Sequence, residues 1–328
     1  MDKARELSDC VSRTAQMEPG THMLRRSIRL LLIGWALGAL AFLVLHGRYF
    51  LLDEPTTTAE DDRRLFWVDF FGSVHSSRPD GSDSRRLVTQ SWFSFPDGIA
   101  IHPETGRMFW TNMGMSNGTI MSANADGSDL RTVVPTGHTT TPKQLALDPV
   151  GNKLYWGDRD DPKIMRANLD GSGIEIIIDG DLMSPVGLAL DPVGRWIYFT
   201  DRYAENIKRS RLDGSGVEIV VGSTVYPTDI AVDPAGGHMY WASRTLGEIY
   251  RARLDGSHIE TIVTGLNQPI GVTVDPAAGA LYYTDPFLLL SSVYRAELDG
   301  SNPRRMLLGG TPLGIMYAAG RSGGAVAH

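Results

Sequence analysis

The chain has 328 residues, of which 42% are hydrophobic and 21% charged, a balance that suits a folded globular domain and excludes a disordered or collagen-like chain. Residues 1–53 carry seven Lys/Arg against five Asp/Glu, so the net charge of −7 leaves −9 on the rest, and a body that acidic is not expected to grip a nucleic-acid backbone, which needs clustered Lys and Arg. Cys10 is the only cysteine, so neither an intrachain disulfide nor a thiolate zinc site can form.

Residues 1–29 form a polar segment with Arg25, Arg26 and Arg29 at its end. From Leu30 to Leu45 sixteen residues follow without a charge, LLLIGWALGALAFLVL. As a helix they span about 24 Å, short of a hydrocarbon core of ~30 Å. Tyr49, Phe50, Leu51 and Leu52 extend the apolar stretch into the interface, and Arg29 and Arg48 can snorkel at its ends. Residues 30–52 are therefore expected to be an N-terminal hydrophobic helix acting as a transmembrane signal anchor, with the following domain outside the cytoplasm. Two other readings stand beside it: a cleaved signal peptide starting at Met23, with Ala39-x-Ala41 as its cleavage site and a secreted product, and a buried core helix. Residues 53–63 are polar, lack periodicity and read as a linker.

From residue 64 onward the sequence repeats itself. An aromatic block recurs as FWVD (66–69), FWTN (109–112), YWGD (155–158), YFTD (198–201), YWAS (240–243) and YYTD (282–285), in steps of 42 to 46 residues. Asp-Gly-Ser begins at Asp80, Asp126, Asp170, Asp213, Asp255 and Asp299, and a proline-led segment at Pro96, Pro142, Pro185, Pro227, Pro269 and Pro312. Three landmarks in one cyclic order, six times over, define a repeat architecture. Within residues 96–134, PDGIAIHP reads as a first strand, RMFWTN as a second, GTIMSANAD as a third and DLRTVVP as a fourth. Glycine in Asp-Gly-Ser supplies the positive φ of a tight hairpin. Four short antiparallel strands make one propeller blade, so residues 64–318 are expected to be an all-β, six-bladed β-propeller.

Side chains alternate across a strand, so a block such as YWGD presents rings to both faces of its sheet. Rings on both faces fit a sheet covered on both sides by neighbouring blades, and Trp110, Trp156 and Trp241 are read as core. The fourth block position is acidic at Asp69, Asp158, Asp201 and Asp285, and the residue four before Asp-Gly-Ser is Arg166, Arg209, Arg251 and Arg295. These acids and arginines are expected to pair, or to bond backbone groups, between strands or blades. The first copy lacks a proline-led strand and the C-terminus has an orphan one at Pro312–Tyr317, so the ring is expected to close by joining that strand to residues 64–90. Residues 319–328 then remain as a flexible tail.

These motifs resemble the YWTD repeat, also called the low-density-lipoprotein-receptor class B repeat, in all six copies over about 255 residues. The resemblance implies a six-bladed propeller closed by strands from both termini, outside the cytoplasm, binding a protein ligand on one face. The block departs from the pattern at Asn112 and at Ser243, and the cysteine-rich modules that flank such propellers in animal receptors are missing.

No nucleophile elbow, HExxH or phosphate loop is present. Two acids, Asp97 and Asp229, with Lys143 and Gln144, stand one or two residues after the prolines and are expected at the mouth of the central channel. Six-bladed lactonases hold a calcium-like ion with oxygen ligands at such a mouth, so a metal-dependent lactonase or esterase with Asp97, Asp229 and Asn112 as ligands is the alternative reading. The preferred reading is a non-catalytic, receptor-like and monomeric propeller that needs no cofactor, binds a protein partner and contacts no nucleic acid. Asn117-Gly118-Thr119 is a glycosylation sequon.

Overall fold

The computed structural model describes residues 63–91, 93–115, 117–286, 292–306 and 312–318. The anchor segment, most of the linker and the C-terminal tail expected from sequence lie outside the described residues. Among the described residues no helix is long and apolar enough to cross a membrane.

Twenty-four strands form six four-stranded antiparallel sheets. Blade 1 holds β1 (Arg64–Asp69), β2 (Ser73–Ser77) and β3 (Arg85–Thr89). Blade 2 is β4 (Pro96–Ile101), β5 (Met108–Asn112), β6 (Thr119–Ala123) and β7 (Arg131–Val134). Blade 3 is β8 (Pro142–Asp148), β9 (Lys153–Asp158), β10 (Lys163–Asn168) and β11 (Glu175–Asp179). Blade 4 is β12 (Pro185–Asp191), β13 (Trp196–Asp201), β14 (Asn206–Arg211) and β15 (Glu218–Val221). Blade 5 is β16 (Pro227–Asp233), β17 (His238–Ser243), β18 (Glu248–Arg253) and β19 (Glu260–Val263). Blade 6 is β20 (Val272–Asp275), β21 (Ala280–Asp285), β22 (Ser292–Glu297) and β23 (Arg304–Met306), and β24 (Pro312–Ala318) completes blade 1 in the order β24-β1-β2-β3. The closure is antiparallel, with Leu65 opposite Tyr317 and Phe66 opposite Met316.

The aromatic blocks build the walls between blades. Phe66 clusters with Trp110, Phe109 with Trp156, Tyr155 with Phe199, Tyr198 with Trp241, Tyr240 with Tyr283, and Tyr282 with Trp67. In every interface the first ring of one block packs with the second ring of the next, and all of these rings are at most 3% exposed. The indole N–H groups are satisfied as well: Trp110 donates to Gln90 Oε1 at 2.9 Å, Trp156 to Thr139 Oγ1 at 3.2 Å and Trp241 to Thr224 Oγ1 at 2.8 Å. Buried rings contribute area on both faces of each sheet, and their polar edges carry no desolvation cost.

Asp-Gly-Ser does more than turn the chain. Its glycines have φ between +81° and +88°, and the Asp carboxylate accepts the Ser N–H two residues on, as Asp170 does from Ser172 at 2.9 Å. A Cβ on Gly171 would lie 1.9 Å from the Val133 carbonyl oxygen of the preceding blade, and one on Gly214 would lie 1.9 Å from that of Ile177. The turn is pressed against the neighbouring sheet, so glycine is required there for space as well as for torsion.

Candidate functional site

The acidic fourth position of the aromatic block and the arginines of the third strand do not pair with one another. Three of the four acids gather the N–H groups of the segment that crosses from the preceding blade, and Asp69 gathers those of its own β1–β2 turn. Asp158 accepts from Thr140 N at 2.5 Å, Thr141 N at 2.9 Å and Thr139 Oγ1 at 2.8 Å. Asp201 accepts from Met183 N and Ser184 N and pairs with Lys208 Nζ at 2.9 Å, and Asp285 accepts from Asn267 N and Gln268 N. Asp69 accepts from Phe71 N, Ser73 N and His75 Nε2 at 2.8 Å. Where the block lacks the acid the bonding changes: Ser243 Oγ donates to Val225 O at 2.6 Å, and Asn112 donates to Thr119 Oγ1 at 3.4 Å.

The arginines reach outward and forward. Arg166, Arg209 and Arg251 each bind a glutamate on their own fourth strand, Glu175, Glu218 and Glu260. Each also donates to a carbonyl of the next blade, at Leu212, Leu254 and Leu298. Arg295 instead pairs with Glu297 at 3.2 Å. The third block residue adds another tie. Thr111, Thr200 and Thr284 accept the N–H of Gly98, Gly187 and Gly271 and donate to Lys143 O, Thr228 O and Leu313 O of the following blade.

A set of acids that the sequence reading passed over caps the turn between first and second strands. Asp148 accepts from Val150 N, Asp191 from Val193 N, Asp233 from Gly236 N and Asp275 from Ala278 N. The signal was the repeated Asp-Pro of these turns, which stands in four of the six copies. Two of them also hold a cation from the next blade, Asp148 with Arg195 at 2.9 Å and Asp275 with Arg63 at 3.4 Å.

The starts of the innermost strands surround the channel mouth. A cavity of about 20 Å³, room for about one water, is lined there by Asp97, Lys143, Gln144, Arg202 and Asp229 together with glycines and aliphatic side chains. Glycine at this level lets the strands converge: a Cβ on Gly314 would lie 1.8 Å from Asp97 O. The sequence-expected polar groups therefore meet, but as partners of one another. Lys143 Nζ binds the Asp97 carboxylate. Burial pulls the Lys143 ammonium pKa down, and the Asp97 charge opposes that pull. Gln144 Nε2 donates to Asp229 Oδ2 at 2.6 Å, and the same carboxylate accepts from Val272 N at 3.0 Å and Ile230 N at 2.8 Å. Burial nevertheless dominates, and the Asp229 pKa is pushed up to about 7.

Asn112 does not line the mouth, so Asp97, Asp229 and Asn112 are not brought together there. Among the described residues no group of three or more His, Cys, Asp or Glu is placed to hold a metal ion. Arg202 is 9% exposed, and its Nε has no hydrogen-bond partner while its guanidinium stacks 5.0 Å from the Tyr226 ring. The mouth thus offers a buried cation with spare donor capacity.

The same end of the propeller carries Phe70 (46% exposed), Phe71 (36%), Phe93 (68%) and Tyr203 (57%), on the second-to-third-strand turns and the crossing segments. Phe70 contacts Phe71 edge-on at 5.7 Å and Phe95 at 5.4 Å. Met115, Met183 and Leu246 are exposed on the same face. Exposed apolar rings and the polar channel mouth thus share one face of the propeller.

The particular kind of propeller follows from the comparisons. The chain carries the low-density lipoprotein receptor repeat class B, the YWTD repeat, whose family model matches residues 152–192, one repeat running from the second strand of blade 3 to the first strand of blade 4. A relative, the low-density lipoprotein receptor-related protein 1 of Pyricularia oryzae, is 30% identical over 136 residues, 40% of this chain and 41% of that protein's length. Among solved structures, a chain of the nidogen/laminin complex superposes with a TM-score of 0.68 at 22% identity, covering 78% of this chain and 98% of the other. TolB from Acinetobacter baumannii superposes with a TM-score of 0.65 at 11% identity, covering 79% and 67%. At these identities the two structures support the fold alone.

Proposed function

We propose that this chain is a membrane-tethered, non-catalytic propeller that binds a protein ligand outside the cytoplasm, through the face that carries the channel mouth. The observation that carries the reading is that Phe70, Phe71, Phe93 and Tyr203 are exposed on the face where Arg202, with an unpartnered Nε, lines the channel mouth. Exposed aromatics supply contact area at low entropic cost, and a buried arginine fixes an acidic group. The ligand is therefore a protein loop that presents a carboxylate flanked by apolar side chains. The receptor-related relative supports a binding role, and the apolar sequence 30–45 supports the tether. The test is capture from a display library of secreted proteins by the wild type and by Phe93→Ala, Tyr203→Ala and Arg202→Gln. Ligands retained by the wild type and lost by these variants, while all melt alike, support the reading. Equal capture by all four overturns it.

A further inference from the structure

The cleft between blades 3 and 4, on the face opposite the channel mouth, has no part in that reading. It is a concavity of about 440 Å³ into which Lys153, Arg166, Arg195 and Arg211 project, with Asp148 and Asp213 as the carboxylates of its lining. With Glu175, which pairs with Arg166 at 2.7 Å, four cations stand against three carboxylates, and a surplus of positive charge remains on a protein body that is otherwise acidic. The repeat makes the surplus measurable. At the six blade interfaces the positions equivalent to these four residues are all cationic only here. The next interface has Trp196, Arg209, Gly237 and Arg253, and the preceding one has Arg107, Ser122, Asn152 and Asn168.

The carboxylates are already committed. Asp148 accepts from Val150 N and Arg195, and Asp213 accepts from Ser215 N and Oγ at 2.9 and 2.6 Å. Two of the cations meet only neutral acceptors: Lys153 Nζ donates to Asn168 Oδ1 at 2.7 Å, and Arg211 Nη1 to Gly194 O at 3.2 Å. Arg211 is held in place by the Trp196 ring 3.6 Å beneath its guanidinium, which pre-orders the donor fork. Arg195 occupies a left-handed turn position, φ 58°, where three equivalent turns have Gly106, Gly237 and Gly279. A non-glycine residue there is strained, and here the strain delivers a guanidinium, 47% exposed, to the cleft rim.

We propose that this cleft binds a compact tetrahedral oxyanion, the phosphate or sulfate ester of a sugar-sized ligand. Arginine forks and an ammonium around a concave site match the three free oxygens of such an ester. A long polyanion or an anionic bilayer would meet the acidic remainder of the domain, whereas a compact ester engages the cleft alone.

The experiment is calorimetry and thermal melting of the full-length chain at constant ionic strength, with inorganic phosphate, inorganic sulfate and glucose 6-phosphate as probes and chloride as reference. Binding of at least one oxyanion is expected, weakened about tenfold or more in Arg195→Gly and in Arg211→Gln. Arg195→Gly removes a cation while relieving the strained turn, so it should stay folded. Arg131→Gln, which removes an exposed arginine elsewhere, should change binding less than about twofold. Preference for phosphate or for sulfate assigns the ester. No response beyond chloride, or equal loss in Arg131→Gln, overturns the proposal.

Discussion

Gln144 of blade 3 and Asp229 of blade 5 meet across the channel, Nε2 to Oδ2 at 2.6 Å, although 85 residues and a whole blade separate them. The bond forms a bar beneath the mouth. Beyond it the channel widens to about 300 Å³ and is lined almost wholly by aliphatic residues such as Ile99, Leu145, Leu188, Ile230 and Val272. The bar is also titratable. Burial raises the Asp229 pKa from its ordinary 3.8 to about 7, against the pull of the N–H donors of Val272, Ile230 and Gln144. Between about pH 4 and 7 the folded chain holds a proton that the unfolded chain has released, so stability falls as pH rises through that window. Asp229→Asn should flatten this part of the pH–stability curve, removing a slope of at most about 1.4 kcal/mol per pH unit. Chemical denaturation at several pH values checks it, and parallel curves for the two proteins would refute it.

Ring closure gives a second prediction. β24 supplies the innermost strand of blade 1, and Ile315 packs with Trp67 and Tyr282 at the last interface. Deleting residues 312–328 should abolish cooperative unfolding or lower the melting temperature sharply. Deleting only 319–328 should leave the melt unchanged. Coincident melts of the longer truncation and the intact chain would mean that closure does not depend on β24.

The Asp-Gly-Ser turns permit a separation of torsion from space. Gly171 and Gly180 have φ +85° and +92°, but a Cβ at Gly171 meets the Val133 carbonyl at 1.9 Å, whereas one at Gly180 meets nothing within 4 Å. Alanine at either position adds the left-handed penalty of about 1–2 kcal/mol. Gly171→Ala should cost at least about 2 kcal/mol more than Gly180→Ala, because two sheets must part. Equal costs by denaturant titration would remove the inter-blade argument.

The mouth also separates binding from hydrolysis. Asp97 is bound by Lys143 and Asp229 by Gln144 and two backbone N–H groups. Elemental analysis of the purified protein is expected to find no stoichiometric metal, and a lactone and ester screen with added calcium no turnover. About one equivalent of calcium, lost together with a hydrolytic rate in Asp97→Ala, would establish the lactonase reading instead.

The architecture was legible because a propeller writes each structural need six times. Rings at both faces of the second strand, Gly in Asp-Gly-Ser and the orphan strand at Pro312 each pointed to a contact that the fold contains. The channel-mouth residues were legible as a set, since their place after the prolines fixes their height along the channel axis. Their pairings were not. Whether Lys143 turns to Asp97 or to Asp229 depends on the angle between blades, which no local pattern encodes. The acids and arginines of the repeat were expected to pair with one another or to bond backbone groups, and it is backbone groups that Asp158, Asp201 and Asp285 and Arg166, Arg209 and Arg251 engage across blades. They remain apart because the acid stands near the mouth end of its strand, where N–H groups of the crossing segment or, for Asp69, of the turn await it, whereas the arginine stands near the other end. The four-cation cleft went unseen for the same reason. Its members come from both sides of a blade interface and converge only once the ring is formed.

The split blade also decides how the domain meets mechanical load. Arg64 lies opposite Ala318, so the described chain enters and leaves on neighbouring strands at the end remote from the mouth. A pull that separates those two points acts across the β1–β24 ladder and opens it one rung at a time, the weak direction of an antiparallel pair. The Arg63–Asp275 contact sits beside the first rung and braces β1 against blade 6. Tension that holds β1 alone would instead be shared with β2 and the aromatic wall of Trp67.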